Sequence, residues 1–234
     1  MSPSLNLTLF HLINGFAGQP MLDHFVTFAT DATVFHNALI AAPYVILWFH
    51  DRRPRVRVHL ALGLLAGVLA IVVARTLAHV MPFEVRPAFS AASGFKPLSV
   101  PRQATLETWS AFPSDNAAFT LAVALGLYPV IRRLSVGLSA AVMVVYGLFR
   151  VYAGFHYPAD IVAGWLIGVA AILVVQPLAI RNQWVSWIRI PPAAEPLLYG
   201  LGFLALCEYA SMFETIRKIT RAVPLTAHLL HQTL

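Results

Sequence analysis

Residues 59–81, HLALGLLAGVLAIVVARTLAHVM, carry one permanently ionised side chain, Arg75. A run of this length matches the ~20 apolar residues that a helix needs to cross ~30 Å of hydrocarbon. Four further segments repeat the pattern: 33–50, 116–131, 134–149 and 159–180. Across all 234 residues, 59% are hydrophobic and 11% charged, with a mean hydropathy of +0.72. A soluble domain is about half apolar and about a quarter charged, so the balance argues against a soluble enzyme with a large core. The predicted fold is all-α, a polytopic membrane helical bundle of about five or six transmembrane helices forming a single domain over 1–234.

Segments 116–131 and 134–149 are short for a full crossing, and either extend into their neighbours or pack centrally. Residues 5–30 interleave apolar positions with Asn6, His11, Asn14, Asp23 and His24. That pattern predicts an interfacial amphipathic N-terminal helix or a broken helical pair. Residues 196–213 are apolar but carry Glu208, and the sequence leaves their placement open between a span and the interface. The beginning of the chain, MSPSLNLTLFHLING, has no basic stretch ahead of an uninterrupted apolar core, unlike a cleaved signal peptide. Cys207 is the only cysteine, which excludes an internal disulfide or a multi-cysteine metal site.

The net charge of +6 is best read through topology. No basic run with interleaved aromatics points to nucleic acid. DRRPRVR (51–57) joins the first two spans, Arg132 and Arg133 the third and fourth, and Arg181 and Arg189 follow the fifth. Counting crossings places all of these arginines on one side, which the positive-inside rule makes cytoplasmic. The long loop 82–115 and the short loop 150–158 then share the outer face.

Those two loops hold polar residues out of keeping with so apolar a chain. FEVRP supplies Glu84 and Arg86; FPSDN supplies Ser114, Asp115 and Asn116; FRVYAGFHYPAD supplies Arg150, His156 and Asp160. Pro158 suits the first position of a helix beginning near Tyr157. A carboxylate at Asp160 can accept a hydrogen bond from one imidazole nitrogen of His156, leaving the other as a nucleophile. Ser114 or Asp115 can cap a helix starting near Asn116, and such a helix N-terminus offers N–H groups and a positive dipole end to an anion. Each group has a plainer use in capping helices or in snorkelling to the interface. Their convergence on one face, with two planar guanidiniums suited to phosphoryl oxygens, makes a phosphate site the leading expectation. Arg75, four residues before His79, is equally compatible with snorkelling and with a functional role.

At these residues the chain resembles the membrane type 2 phosphatidic acid phosphatase superfamily, whose motifs are K-x6-R-P, P-S-G-H and S-R-x5-H-x3-D. It looks most like the bacterial undecaprenyl-diphosphate phosphatases, which show ExRP and FPSDH forms. The resemblance covers roughly residues 5–180 and leaves 181–234 as a C-terminal extension. It implies that His156 attacks phosphorus to form a phosphohistidine with Asp160 as its orienting partner. It further implies that Arg86, Arg150 and Ser114 bind phosphate and that Asp115 takes the position of Asp in the undecaprenyl-diphosphate branch. Glu84 and His79 fall within the first-motif region of the same phosphate-binding group. The implied substrate is a membrane lipid phosphate or diphosphate at the outer face of the inner membrane, with no metal and no cofactor.

Three departures bear on function. His79 stands at the first-motif Lys position, and Phe149 replaces the Ser preceding Arg150. Asn116 stands where the second motif has His, the family's proton donor to the leaving group. Asn donates hydrogen bonds but does not deliver a proton at ordinary pH. General acid catalysis is typically worth ~10²–10⁴-fold, so two expectations compete: a phosphatase suited to a good leaving group, or a lipid-phosphate binder or carrier. His79, Glu84 and Asp115 are each candidates for a substitute acid.

Overall fold

The computed structural model describes residues 3–32, 35, 37–99, 109–181 and 195–210. Every regular element among them is helical: α1 (Pro3–Asn14), α2 (Pro20–Asp31), α3 (Asn37–His50), α4 (Pro54–Val80), α5 (Asp115–Gly126), α6 (Arg132–Tyr152), α7 (Pro158–Val175) and α8 (Glu195–Ala210), with short helical turns at Pro87–Phe89, Ala91–Ser93 and Leu178–Arg181. Three of them, α4, α6 and α7, are long and apolar enough to cross a membrane. The chain is an integral membrane protein built from helices.

Prolines set several of the boundaries. Pro20, Pro54 and Pro158 occupy the first turn of α2, α4 and α7, where a missing N–H costs nothing. The sequence segments 116–131 and 159–180 both end earlier than their apolar pattern suggests. α5 stops at Gly126, ahead of Pro129, and α7 stops at Val175, ahead of Pro177. A proline disfavours helical geometry in the residue before it and lacks the N–H that would continue the ladder. At twelve residues, α5 spans only about 18 Å at 1.5 Å per residue.

That short helix is the axis of the bundle. α5 packs against α4, α6 and α7, and nearly all of its side chains are buried. Gly164 of α7 lies against the Ser114 carbonyl so closely that a Cβ there would collide with it. At the end of the bundle remote from Arg86 and His156, Gln176 receives His59 at 2.8 Å and reaches the Gly126 carbonyl at 3.2 Å. α4 therefore starts, and α5 and α7 finish, at one end, so 82–99 and 153–157 meet at the other. This is the parity expected from the charges.

Residues 5–30 form two helices; Asn6, Asn14 and Asp23 turn into the protein, while His24 is exposed. Asn6 accepts from the Ala159 N–H at the start of α7 (2.9 Å). Asn14 donates to the Tyr152 and Lys96 carbonyls and accepts the Lys96 N–H (2.8, 3.1 and 2.7 Å). Asp23, fully buried, accepts from the Tyr152 hydroxyl and from the Ser99 N–H and hydroxyl, at 2.5, 2.7 and 2.7 Å. In α8, Tyr209 reaches the bundle: its hydroxyl donates to the Leu64 carbonyl at 2.6 Å, and its ring meets Phe119 edge-on.

Candidate active site

Three pieces of chain meet where α5 and α7 begin. Residue 154 makes the bend after α6: Gly154 has φ +73°, a conformation L side chains rarely adopt, and a Cβ there would run into the Phe95 ring. Its carbonyl accepts the Ala88 N–H at 2.9 Å, which ties the 150s loop to the residues after Arg86. On the facing side, the Ala111 N–H donates to the Glu84 carbonyl at 2.8 Å. The Ser114 N–H donates to the Asp160 carbonyl at 3.1 Å, joining the starts of α5 and α7.

His156 lies at the centre, 1% exposed. Its Nδ1 is 2.8 Å from the Ala111 carbonyl oxygen. A carbonyl only accepts, so Nδ1 carries the proton and Nε2 presents its lone pair. Asp160 Oδ2 is 3.6 Å from Nδ1, beyond hydrogen-bond reach, and instead accepts the Tyr157 N–H at 2.7 Å. The orienting contact to the imidazole is thus a main-chain carbonyl, with the Asp160 carboxyl close behind it. Burial, then the charges of Arg86 and Arg150, holds the His156 imidazole well below its usual range, so it is neutral.

Nε2 faces Ser114 Oγ at 3.3 Å and Arg86 Nη1 at 3.4 Å. Arg86 is held by main-chain carbonyls: Nε donates to Trp109 (3.1 Å), Nη1 to Phe155 (3.0 Å) and Nη2 to Ser110 (3.4 Å). Burial and the neighbouring Arg150 push its pKa down to about 10, and it remains charged at neutral pH. Arg150 follows a π-helical turn, Val144–Leu148, within α6, and its guanidinium lies over the Phe155 ring, 5.1 Å from the centroid. Arg150 Nε is buried and has no hydrogen-bond partner among the described residues. An unsatisfied buried donor is costly, and a guanidinium so placed suits an oxyanion.

The start of α5 departs from a simple anion cradle. Ser114 is the N-cap, its Oγ accepting the Ala117 N–H at 3.4 Å, and the Asn116 N–H is taken by Asp115 Oδ1 at 2.8 Å. Short acceptors at 114 and 115 thus occupy donors that a phosphate would otherwise use, leaving the helix dipole and the guanidiniums to attract anions. Asn116 Nδ2 donates to Asp115 Oδ1 at 3.1 Å. Asp115 Oδ2 pairs with Arg75 Nε at 3.3 Å, which brings Arg75 to the site. His79 is exposed at the end of α4 with Nδ1 donating to the Arg75 carbonyl at 2.7 Å, and among the described residues it bonds to no other site side chain. Glu84 is half-buried; burial, then the Asp160 charge, pushes its carboxyl up to about 7.

The PAP2 superfamily profile matches residues 83–184, the stretch that contains Arg86, Ser114, Arg150, His156 and Asp160. Residues 83–184 are a PAP2 superfamily domain. The chain is 28% identical to the putative undecaprenyl-diphosphatase YbjG of Escherichia coli (strain K12) over 197 residues, 81% of this chain and 93% of that protein. It is 27% identical to the bacitracin transport permease protein BcrC of Bacillus licheniformis over 176 residues, 73% of this chain and 79% of BcrC. Its fold is similar to the crystal structure of Aquifex aeolicus LpxE, with a TM-score of 0.54 and 26% identity, covering 74% of this chain and 95% of LpxE. Arg75, an ionised residue well inside an apolar span, pairs with Asp115, a contact its position in the sequence does not reveal. Of the two alternatives for residues 5–30, the helical pair is the one observed, and the buried partners of Asn6, Asn14 and Asp23 were not visible in the sequence.

Proposed function

We propose that this PAP2 protein is a membrane lipid diphosphate phosphatase, acting on a polyprenyl diphosphate such as undecaprenyl diphosphate at the outer face of the inner membrane. The observation that carries this reading is the lone pair of His156 Nε2, aimed at Arg86 and Ser114 and close to Arg150. In the proposed reaction Nε2 attacks the terminal phosphorus. An N–P bond forms as the bridging P–O bond breaks, and its electron pair leaves on the lipid monophosphate. Water then attacks the phosphohistidine, the N–P pair returns to Nε2, and inorganic phosphate departs. Arg86 and Arg150 stabilise the equatorial oxygens, so the step is metal-independent. The positive charges at the opposite end of the bundle support the outward orientation.

The diphosphate preference follows from Asn116. With no imidazole acid at that position, a leaving phosphate monoester, a weaker base than an alkoxide, needs less protonation. The hydrogen bond from Asn116 to Asp115 also favours one rival, a lipid-phosphate binder without turnover. Phosphate release from farnesyl diphosphate by purified protein separates the two. The enzyme reading expects release that falls by at least about 10³-fold in His156→Ala; binding without release would establish the rival.

A further inference from the structure

We propose that Arg75 binds the inner phosphoryl group of a diphosphate lipid, the one that departs on the lipid, and thereby selects diphosphate over monophosphate. This inference rests on the phosphatase reading above and adds a specificity residue to it.

Arg75 lies five residues before the end of α4, within the apolar run that otherwise carries no permanently ionised side chain. Such a placement is costly unless the charge is partnered. Its Nε is paired with Asp115 Oδ2 at 3.3 Å, and its guanidinium carbon lies 5.7 Å from the centre of the Trp109 ring. These contacts fix the plane of the guanidinium while leaving Nη2 buried with no hydrogen-bond partner among the described residues. A buried, oriented donor on a charged group suits an anionic acceptor.

The position of that acceptor follows from Asp115. Asp115 adjoins Ser114, whose Oγ is 3.3 Å from His156 Nε2. Its second oxygen holds Asn116, which occupies the position of the missing acid. Arg75 is therefore held at Asp115, the residue between Ser114, which faces the nucleophile, and Asn116. Arg86 and Arg150 already attend the phosphoryl group that His156 receives, and the substrate's second phosphoryl group requires a separate cation. His79 does not fill that role, being exposed and turned back onto the Arg75 carbonyl. One helical turn deeper on the same face of α4, Arg75 does.

The chemistry is consistent with the missing acid. When the bridging P–O bond breaks, its electron pair becomes charge on the departing lipid monophosphate. A preorganised guanidinium stabilises that charge as it develops, without transferring a proton. A lipid monophosphate substrate has no group at this position, so Arg75 contributes nothing specific to its binding.

The test measures affinities of the full-length protein in detergent for farnesyl methylenediphosphonate, whose bridge resists cleavage, and for farnesyl phosphonate. Phosphate release from farnesyl diphosphate is followed in parallel. Arg75→Gln is expected to weaken diphosphonate binding by about tenfold or more while changing monophosphonate binding by less than about threefold, and Arg75→Lys to restore part of the difference. Intact monophosphonate binding serves as the folding control. An equal loss for both ligands, or no loss for either, overturns the role of Arg75 alone. If the unmodified protein neither binds the ligands nor releases phosphate, the phosphatase reading fails and this inference fails with it.

Discussion

At the residue scale, the proposed chemistry depends on which nitrogen of His156 carries the proton. The Ala111 carbonyl holds that proton on Nδ1 and leaves Nε2 free toward Arg86 and Ser114. Because burial and two arginines lower its pKa, the imidazole stays neutral as pH falls through the ordinary histidine range near 6.5. The acid limb of kcat/KM, which reports the free enzyme, is expected below pH 6.5; a limb above 6.5 assigned to His156 would contradict the environment described. Glu84 sets the other side. Its carboxyl is neutral below about 7 and charged above it, adding a negative charge beside Asp160 as pH rises. Activity should therefore decline above pH 7, and Glu84→Gln should lessen that decline. If Glu84 were instead the proton donor, Gln would lower activity at every pH. Asn116→His restores an acid, and is expected to raise lipid monophosphate turnover by about 10²-fold or more while changing diphosphate turnover far less. Equal gains on both substrates would count against the leaving-group argument.

At the scale of elements, the site is made by helix starts and by the N-terminal pair that clamps them. The starts were legible in the sequence: Pro158 marks that of α7, and Ser114, one of two candidates for the cap, heads α5. The helix ends were harder, because an apolar pattern continues smoothly through Tyr128–Pro129 and Gln176–Pro177 while the backbone cannot. The clamp was not legible at all. Polar residues spaced through an apolar segment look the same whether they face headgroups or buried carbonyls, and only the partners, Lys96, Ser99, Tyr152 and Ala159, distinguish the cases. Asp23 is the strongest member, since its loss would leave the buried Tyr152 hydroxyl and both Ser99 donors without their acceptor. Asp23→Ala is expected to destabilise the protein by about 3 kcal/mol or more. It should also reduce turnover, because Tyr152 lies two residues beyond Arg150 in α6. Thermal melting in detergent alongside phosphate release checks both; an unchanged melting temperature would show that the clamp is dispensable.

At the scale of the whole molecule, charge and packing agree on one arrangement. The arginine-rich connections and the Gln176–His59 contact lie at one end, and the loops that carry Arg86 and His156 lie at the other. Membrane class and the convergence of the outer loops follow from apolar length and charge alone, because both are properties of segments. The pairing of Arg75 with Asp115 does not, because it depends on how α4 and α5 rotate against each other. Hydrolysis at the His156 site is the proposal on which the other predictions depend. The most direct measurement is inorganic phosphate release by the purified protein from a polyprenyl diphosphate, a polyprenyl monophosphate and phosphatidic acid under one set of conditions. We expect the diphosphate to be hydrolysed fastest; equal rates on all three, or a preference for either monophosphate, would contradict it.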